Sequence, residues 1–188
     1  MKRLLFLLLL INHFIGMYSS GHIKFMGLNM TGCIEQYKDS LNLKGFTFIS
    51  SDSNSFYFYG VFANEPVKLC VVVSPVTKTV CKTIVFFKKK DSWNALKSDY
   101  FEKKHLYTNK YPMDRDYEFF ASPYEDGDGY ELRALSRDKC HYISFFYAMG
   151  GYISIEIEKN FQVSVTYEDR ENMDLAKREL ENLALDDI

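Results

Sequence analysis

The chain reads as an α+β protein: antiparallel sheet with helices packed on one face. Three observations predict this. β-rich runs follow one another across turns too short for a parallel crossover, which demands antiparallel pairing. Helix-period stretches stand before, between and after those runs, so helices and strands are segregated rather than alternating one by one. The order is helix then strands, helix then strands, helix, which suggests two tandem helix-plus-four-strand units, a pseudo-repeat over 22–90 and 91–188 within one domain.

Taken in order, His22 to Met30 is an extended lead. Thr31 stands where a cap would sit for a helix from Cys33 to Lys44, with Ile34, Tyr37 and Leu41 at helical spacing and Gly45 as the stop. Phe46–Ser50, Ser55–Ala63, Val67–Ser74 and Lys78–Lys88 follow as strands. Asp91 or Ser92 caps the next helix, whose buried stripe is Trp93, Leu96, Tyr100 and Leu106, ending near Tyr107 before Pro112. The second half offers strands at Tyr117–Ala121, Tyr130–Arg137, Cys140–Tyr147, Tyr152–Glu158 and Phe161–Tyr167, and a closing helix over Arg170–Leu185.

Alternation assigns the faces, because neighbouring strand residues point to opposite sides. A turn at Asn64-Glu65 puts Phe56, Phe58 and Phe62 with Val67, Leu69, Val71 and Val73 on the core side. Pro75 cannot adopt the positive φ of a two-residue hairpin turn, so a four-residue loop Ser74–Thr77 is expected. That loop sets Cys70 opposite Cys81, puts Val80, Ile84 and Phe86 with the core, and turns Thr79 and Thr83 outward. A loop over Glu158-Lys159-Asn160 pairs Ile157 with Phe161, Ile155 with Val163 and Ile153 with Val165. The other side then carries Tyr57, Tyr59, Lys68, Val72, Tyr152, Ser154, Glu156, Ser164 and Thr166, a polar-aromatic face, with Val61 and Gln162 turned the same way. Tyrosine offers a large contact area at small rotamer cost, so this is the candidate interaction face.

Residues 1–21 have the form of a secretory signal: Lys2 and Arg3, an apolar run from Leu4 to Ile15 broken by Asn12 and His13, then small residues at Ser19 and Gly21. The run is too short and too interrupted for a retained span of ~20 apolar residues. A secreted or periplasmic protein without a transmembrane segment is expected, cleaved near Gly21. Met30-Thr31-Gly32-Cys33 has a lipobox-like look, but His22 and Lys24 separate it from the apolar run, so lipidation is not expected.

All four cysteines, Cys33, Cys70, Cys81 and Cys140, lie in the exported part, where disulfides persist. Four cysteines allow three pairings, and the strand register favours Cys70 with Cys81 over free thiols or a Cys33–Cys140 bridge. Cleavage would remove two bases and no acid from a chain of net charge −2, so nothing calls for nucleic acid. Lys88-Lys89-Lys90 is a solvated strand end. No CxxC pair or spaced His22, His105 and His141 set suggests zinc. The stretch Glu125-Asp126-Gly127-Asp128-Gly129 with Glu131 is a turn rather than a calcium loop. Cys140 and His141, adjacent on a strand, point apart and cannot act as a dyad. With no local catalytic motif and no cofactor site, a non-enzymatic module binding a protein or glycan is expected. The alternative is a secreted hydrolase or inhibitor-like effector with a site built from distant residues.

The segments Phe25-Met26-Gly27-Leu28 with Gly32, Leu43-Lys44-Gly45-Phe46, Ser92-Trp93 with Leu96 and Asp99-Tyr100-Phe101, Asn109-Lys110-Tyr111, Lys139-Cys140-His141-Tyr142 and Ala184–Ile188 cover nearly the whole exported chain. In these the chain resembles a family of uncharacterised secreted proteins of gut Bacteroidales. It departs at Asn29-Met30-Thr31, where the family shows Pro and Asp before the glycine, and at Pro112, where Gly-Lys-Pro usually follows. The resemblance implies a fold and supplies no catalytic residue. The architecture is also similar to that of the β-lactamase inhibitor protein, where two such units expose a concave sheet to a partner; this likeness is one of fold alone.

Overall fold

The computed structural model describes residues 21–186; the signal-like run up to residue 20 lies outside them. The chain is α+β. A two-stranded hairpin, β1 (Lys24–Phe25) and β2 (Leu28–Asn29), precedes α1 (Ile34–Leu43) and the strands β3 (Thr47–Asp52), β4 (Ser55–Phe62), β5 (Glu65–Val73) and β6 (Val80–Phe86). Then come α2 (Trp93–Thr108), β7 (Met113–Phe120), α3 (Glu131–Ser136), β8 (Cys140–Ala148), β9 (Gly151–Glu158), β10 (Gln162–Asp169) and α4 (Arg170–Asp186). Eight strands form one antiparallel sheet in the order β3-β4-β5-β6-β10-β9-β8-β7. Each half is a meander, and the two are joined through their last strands.

The helices share one side of this sheet. Tyr37 of α1 reaches Thr83 of β6 at 3.5 Å, Tyr100 of α2 bonds Ser144 of β8 at 2.5 Å, and Asn172 of α4 bonds the Val80 carbonyl at 2.8 Å. Ala134 and Leu135 of α3 join the same core. Among the described residues no helix is long and apolar enough to cross a membrane. The N-terminal lead is a core element rather than a plain extension: Phe25 is fully buried, its ring 5.3 Å from both Phe62 and Tyr167. Gly60 leaves room for Phe46, since a Cβ there would come within 2.5 Å of that buried ring.

Three expectations are corrected. Tyr130–Arg137 contains helix α3, not a strand: Glu131, Leu132, Arg133, Ala134 and Leu135 are all good helix formers, and that preference outweighs a short alternation. Leu106 is exposed, because the buried stripe of α2 runs Trp93, Leu96, Tyr100, Lys103 and then half-buried Tyr107. The cap of α2 is Ser92, which accepts from the Ala95 amide; that of α1 is Cys33 rather than Thr31.

A further correction concerns Cys70 and Cys81. A bulge at Cys81 shifts the pairing, so Cys70 lies opposite Ile84, Val71 opposite Thr83 and Val73 opposite Val80. The loop runs Ser74–Thr79, and α4 holds it: the Glu179 carboxylate accepts from the Val76 amide at 2.7 Å and the Thr77 hydroxyl at 2.5 Å. Thr83, Val85 and Phe87 therefore face the core, while Ile84 and Phe86 face outward. Cys70 points to the open face, whereas the Cys81 thiol donates to the Asn172 carbonyl of α4 at 3.3 Å. All four cysteines are free, so the Cys70–Cys81 bridge and its register fall together. Native thiol labelling followed by peptide mapping is expected to modify half-buried Cys33 first and the buried Cys70, Cys81 and Cys140 only on unfolding. A linked Cys70–Cys81 peptide pair would contradict this register.

In the last hairpin the register differs by two residues, Val163 opposite Ile157 and Val165 opposite Ile155. An even shift preserves the faces, so the core and outer assignments stand there.

Candidate functional site

The side of the sheet away from the helices carries all nine residues of the candidate face. On β4 and β5, Tyr59 lies opposite Lys68 and Tyr57 opposite Cys70, with Val72 following. Across the central seam Ser164 pairs with Phe86 and Thr166 with Ile84; on the far side Ser164 meets Glu156 and Thr166 meets Ser154. The two halves thus present one continuous surface. Ser164 is the exception in accessibility: it is 2% exposed and donates to the Glu158 carboxylate at 2.7 Å. It supports the face rather than meeting a ligand.

The first half of this face is indented by a groove of about 750 Å³, bordered by Tyr57, Tyr59, Lys68, Lys88, Lys89 and Gln162, with Phe86 in it. The Lys68 ammonium sits 4.5 Å from the Tyr57 ring centre, a cation–π contact that holds the lysine over the ring. Tyr59 is 56% exposed, so a large aromatic surface is offered to solvent. Sequence reasoning found the tyrosines and Lys68 and put Gln162 on the same side of the sheet, but missed Lys88 and Lys89. Lys88 was hidden by the β5–β6 bulge: the expected register put Ile84 and Phe86, and Lys88 with them, on the helix side. Gln162 and its neighbour Asn160 arrive from the other half of the chain, which no local pattern reports.

The second half of the face is more aromatic than expected. Tyr117 and Phe119 of β7 lie opposite Ile143 and His141, and Tyr147 opposite Tyr152. Tyr117, Phe119 and Tyr147 are all substantially exposed. Arg170 closes one end, its guanidinium 5.1 Å from the Tyr152 ring centre.

Glu156 lies between these regions, opposite Ile143 on one side and Ser164 on the other. Burial, then the like charge of Glu158, pushes its carboxyl up to about 7, with Lys159 pulling the other way. Between the unfolded value near 4.5 and about 7, the folded chain keeps a proton that the unfolded chain has released. Stability from this group is therefore complete below pH 4.5 and falls as pH rises to about 7. Glu156→Gln is expected to be neutral at pH 4 and to raise stability at pH 8 by ~1–2 kcal/mol, discounted for partial solvent screening. Parallel denaturant melts of both proteins at the two pH values check it; equal differences at both would remove the effect.

The other motifs are used up structurally. Cys140 is 3% exposed on the helix side, and burial pushes its thiol up to about 12, the reverse of nucleophile activation. His141, on the open side, bonds the Asp138 carbonyl at 3.2 Å. In the acidic turn, Asp128 accepts from the Glu125 and Tyr130 amides, Glu131 from the Gly127 amide, and Asp126 from the Trp93 indole and Lys97. Its carboxylates cap the turn's own amides and anchor it to α2. Among the described residues no three His, Cys, Asp or Glu side chains converge on a common point that could hold a metal. No family model, curated protein or solved structure matches the chain.

Proposed function

We propose that this is an exported, non-enzymatic binding module whose open sheet face receives a protein or glycan. The observation that carries the reading is the groove on that face, where exposed Tyr59 and cation-capped Tyr57 stand beside Lys68, Lys88 and Lys89. Aromatic rings supply contact area and the ammonium groups select negative charge, so the partner's contacting segment is acidic. Export rests on the signal-like run at residues 1–21, and membership of the Bacteroidales secreted family on the segments that resemble it.

The test compares the mature chain with a Tyr59→Ser/Lys68→Glu variant in pulldowns from periplasmic and outer-membrane extract of the native host. Both positions are exposed, so the variant should keep the parent melting temperature. Loss of the captured partner in the variant, and weaker capture as salt rises, is the expected result. Background binders only, together with turnover of ester, glycan or peptide substrates by the pure protein, would replace the module with the effector reading.

A further inference from the structure

A second cavity lies on the helix side of the sheet, away from the groove. It encloses about 630 Å³, within the range of small-molecule sites of about 300–1,000 Å³. Its apolar wall comes from four separate segments: Ile23 and Met26 of the N-terminal hairpin, Phe62 at the end of β4, Tyr107 and Tyr111 of α2 and the residues after it, and Tyr167 of β10. Tyr107 and Tyr111 stack with ring centres 5.9 Å apart, and the Tyr107 and Tyr167 hydroxyls bond each other at 2.5 Å. The phenols thus satisfy one another, and their rings present carbon to the cavity.

The mouth differs from the wall. Leu106 and Met149 border it at 54% and 73% exposure, two large apolar side chains left largely in water. Lys24 and Lys110 also border it, both exposed, and none of the described lining residues is acidic. The neighbouring carboxylates, Asp169 and Glu171, are turned to His22 at 3.0 and 3.8 Å. An aromatic wall, apolar lips and a cationic rim are complementary to one molecule with a long apolar tail and one negative end.

We propose that this cavity binds a free long-chain fatty acid, the tail on the tyrosine and Phe62 walls and the carboxylate at Lys24 and Lys110. Each methylene taken from water adds to the affinity, so the tail supplies binding strength while the lysines fix its direction.

The test is displacement of the fluorescent fatty acid cis-parinaric acid from the purified mature chain by palmitate. Saturable one-to-one binding is expected, weakened at least tenfold by Lys24→Glu/Lys110→Glu and by Leu106→Asp. All three positions are exposed, and unchanged melting temperatures confirm folding. Methyl palmitate, with the tail but no charge, should bind at least tenfold more weakly than palmitate. The groove variant Tyr59→Ser/Lys68→Glu should bind palmitate as the parent does, which separates this site from the open face. The proposal is overturned by no saturable palmitate binding, by equal affinity for acid and ester, by variants that bind like the parent, or by binding to phosphatidylglycerol vesicles without binding the free acid.

Discussion

Replacing Lys103 by alanine is expected to destabilise the protein by about 3–5 kcal/mol, the usual cost of leaving a buried charge without its partner. Lys103 is 4% exposed on the inner face of α2; its ammonium donates to Asp99 at 2.6 Å and to Glu65 at 2.7 Å and lies 4.1 Å from the Phe87 ring centre. Burial alone would lower its pKa, but the bonds to Asp99 and Glu65 outweigh burial and raise it. The stability it contributes is therefore complete below the ordinary lysine range near 10.5 and lost only as pH rises above it. Without the lysine, Asp99, itself 6% exposed, retains among the described residues the Lys90 ammonium at 3.5 Å. The paired change Lys103→Met/Asp99→Leu removes both charges together and should recover most of the loss. Urea unfolding of parent, single and double variants measures this, and a single variant within 1 kcal/mol of the parent would contradict a cluster holding α2 to the sheet.

Asp169→Ala is expected to cost about 3–5 kcal/mol, since buried amides left unpaired cost roughly 1–3 kcal/mol each. Asp169 is fully buried where β10 becomes α4, and its two oxygens serve different masters. One accepts from the Asn172 amide at 3.0 Å, capping α4; the other accepts from the Ile23 amide and the His22 ring, both at 3.0 Å. Asn172 continues the link by donating to the Met30 and Val80 carbonyls at 2.7 and 2.8 Å. Asp169→Asn preserves one acceptor oxygen and turns an NH₂ toward the other donors, so it should lie between parent and alanine. Thermal and denaturant melts of the three proteins give the order, and a fully stable alanine variant would show that the N-terminal hairpin is held by packing alone.

The strand faces were legible because period-two alternation survives any even error in register: Ile153, Ile155, Val163 and Val165 were placed on the core side despite a two-residue slip. The β5–β6 pairing was illegible because a bulge carries no marker of its own. Cys81 looks like any strand residue until Glu179, nearly a hundred positions later, captures the loop beside it. The bulge also hid Lys88, and sequence distance hid its meeting with Gln162, which comes about only when β6 pairs with β10. Leu106 was misplaced because its spacing competes with that of Tyr107, whose ring packs on Phe146 and whose hydroxyl meets Tyr167.

The seam where β6 meets β10 also governs the order of assembly. As the chain emerges, β3 to β6 can pair as a meander, yet β6 ends with an unsatisfied edge whose partner is the last strand to appear. Until then Ile84 and Phe86 border open backbone, the kind of template on which chains aggregate. The N-terminal hairpin waits on the same event, since Asp169 at the end of β10 holds Ile23. Six of the seven strand pairings join neighbours in sequence, so the sheet forms as two local meanders whose union waits on the single long-range pairing of β6 with β10.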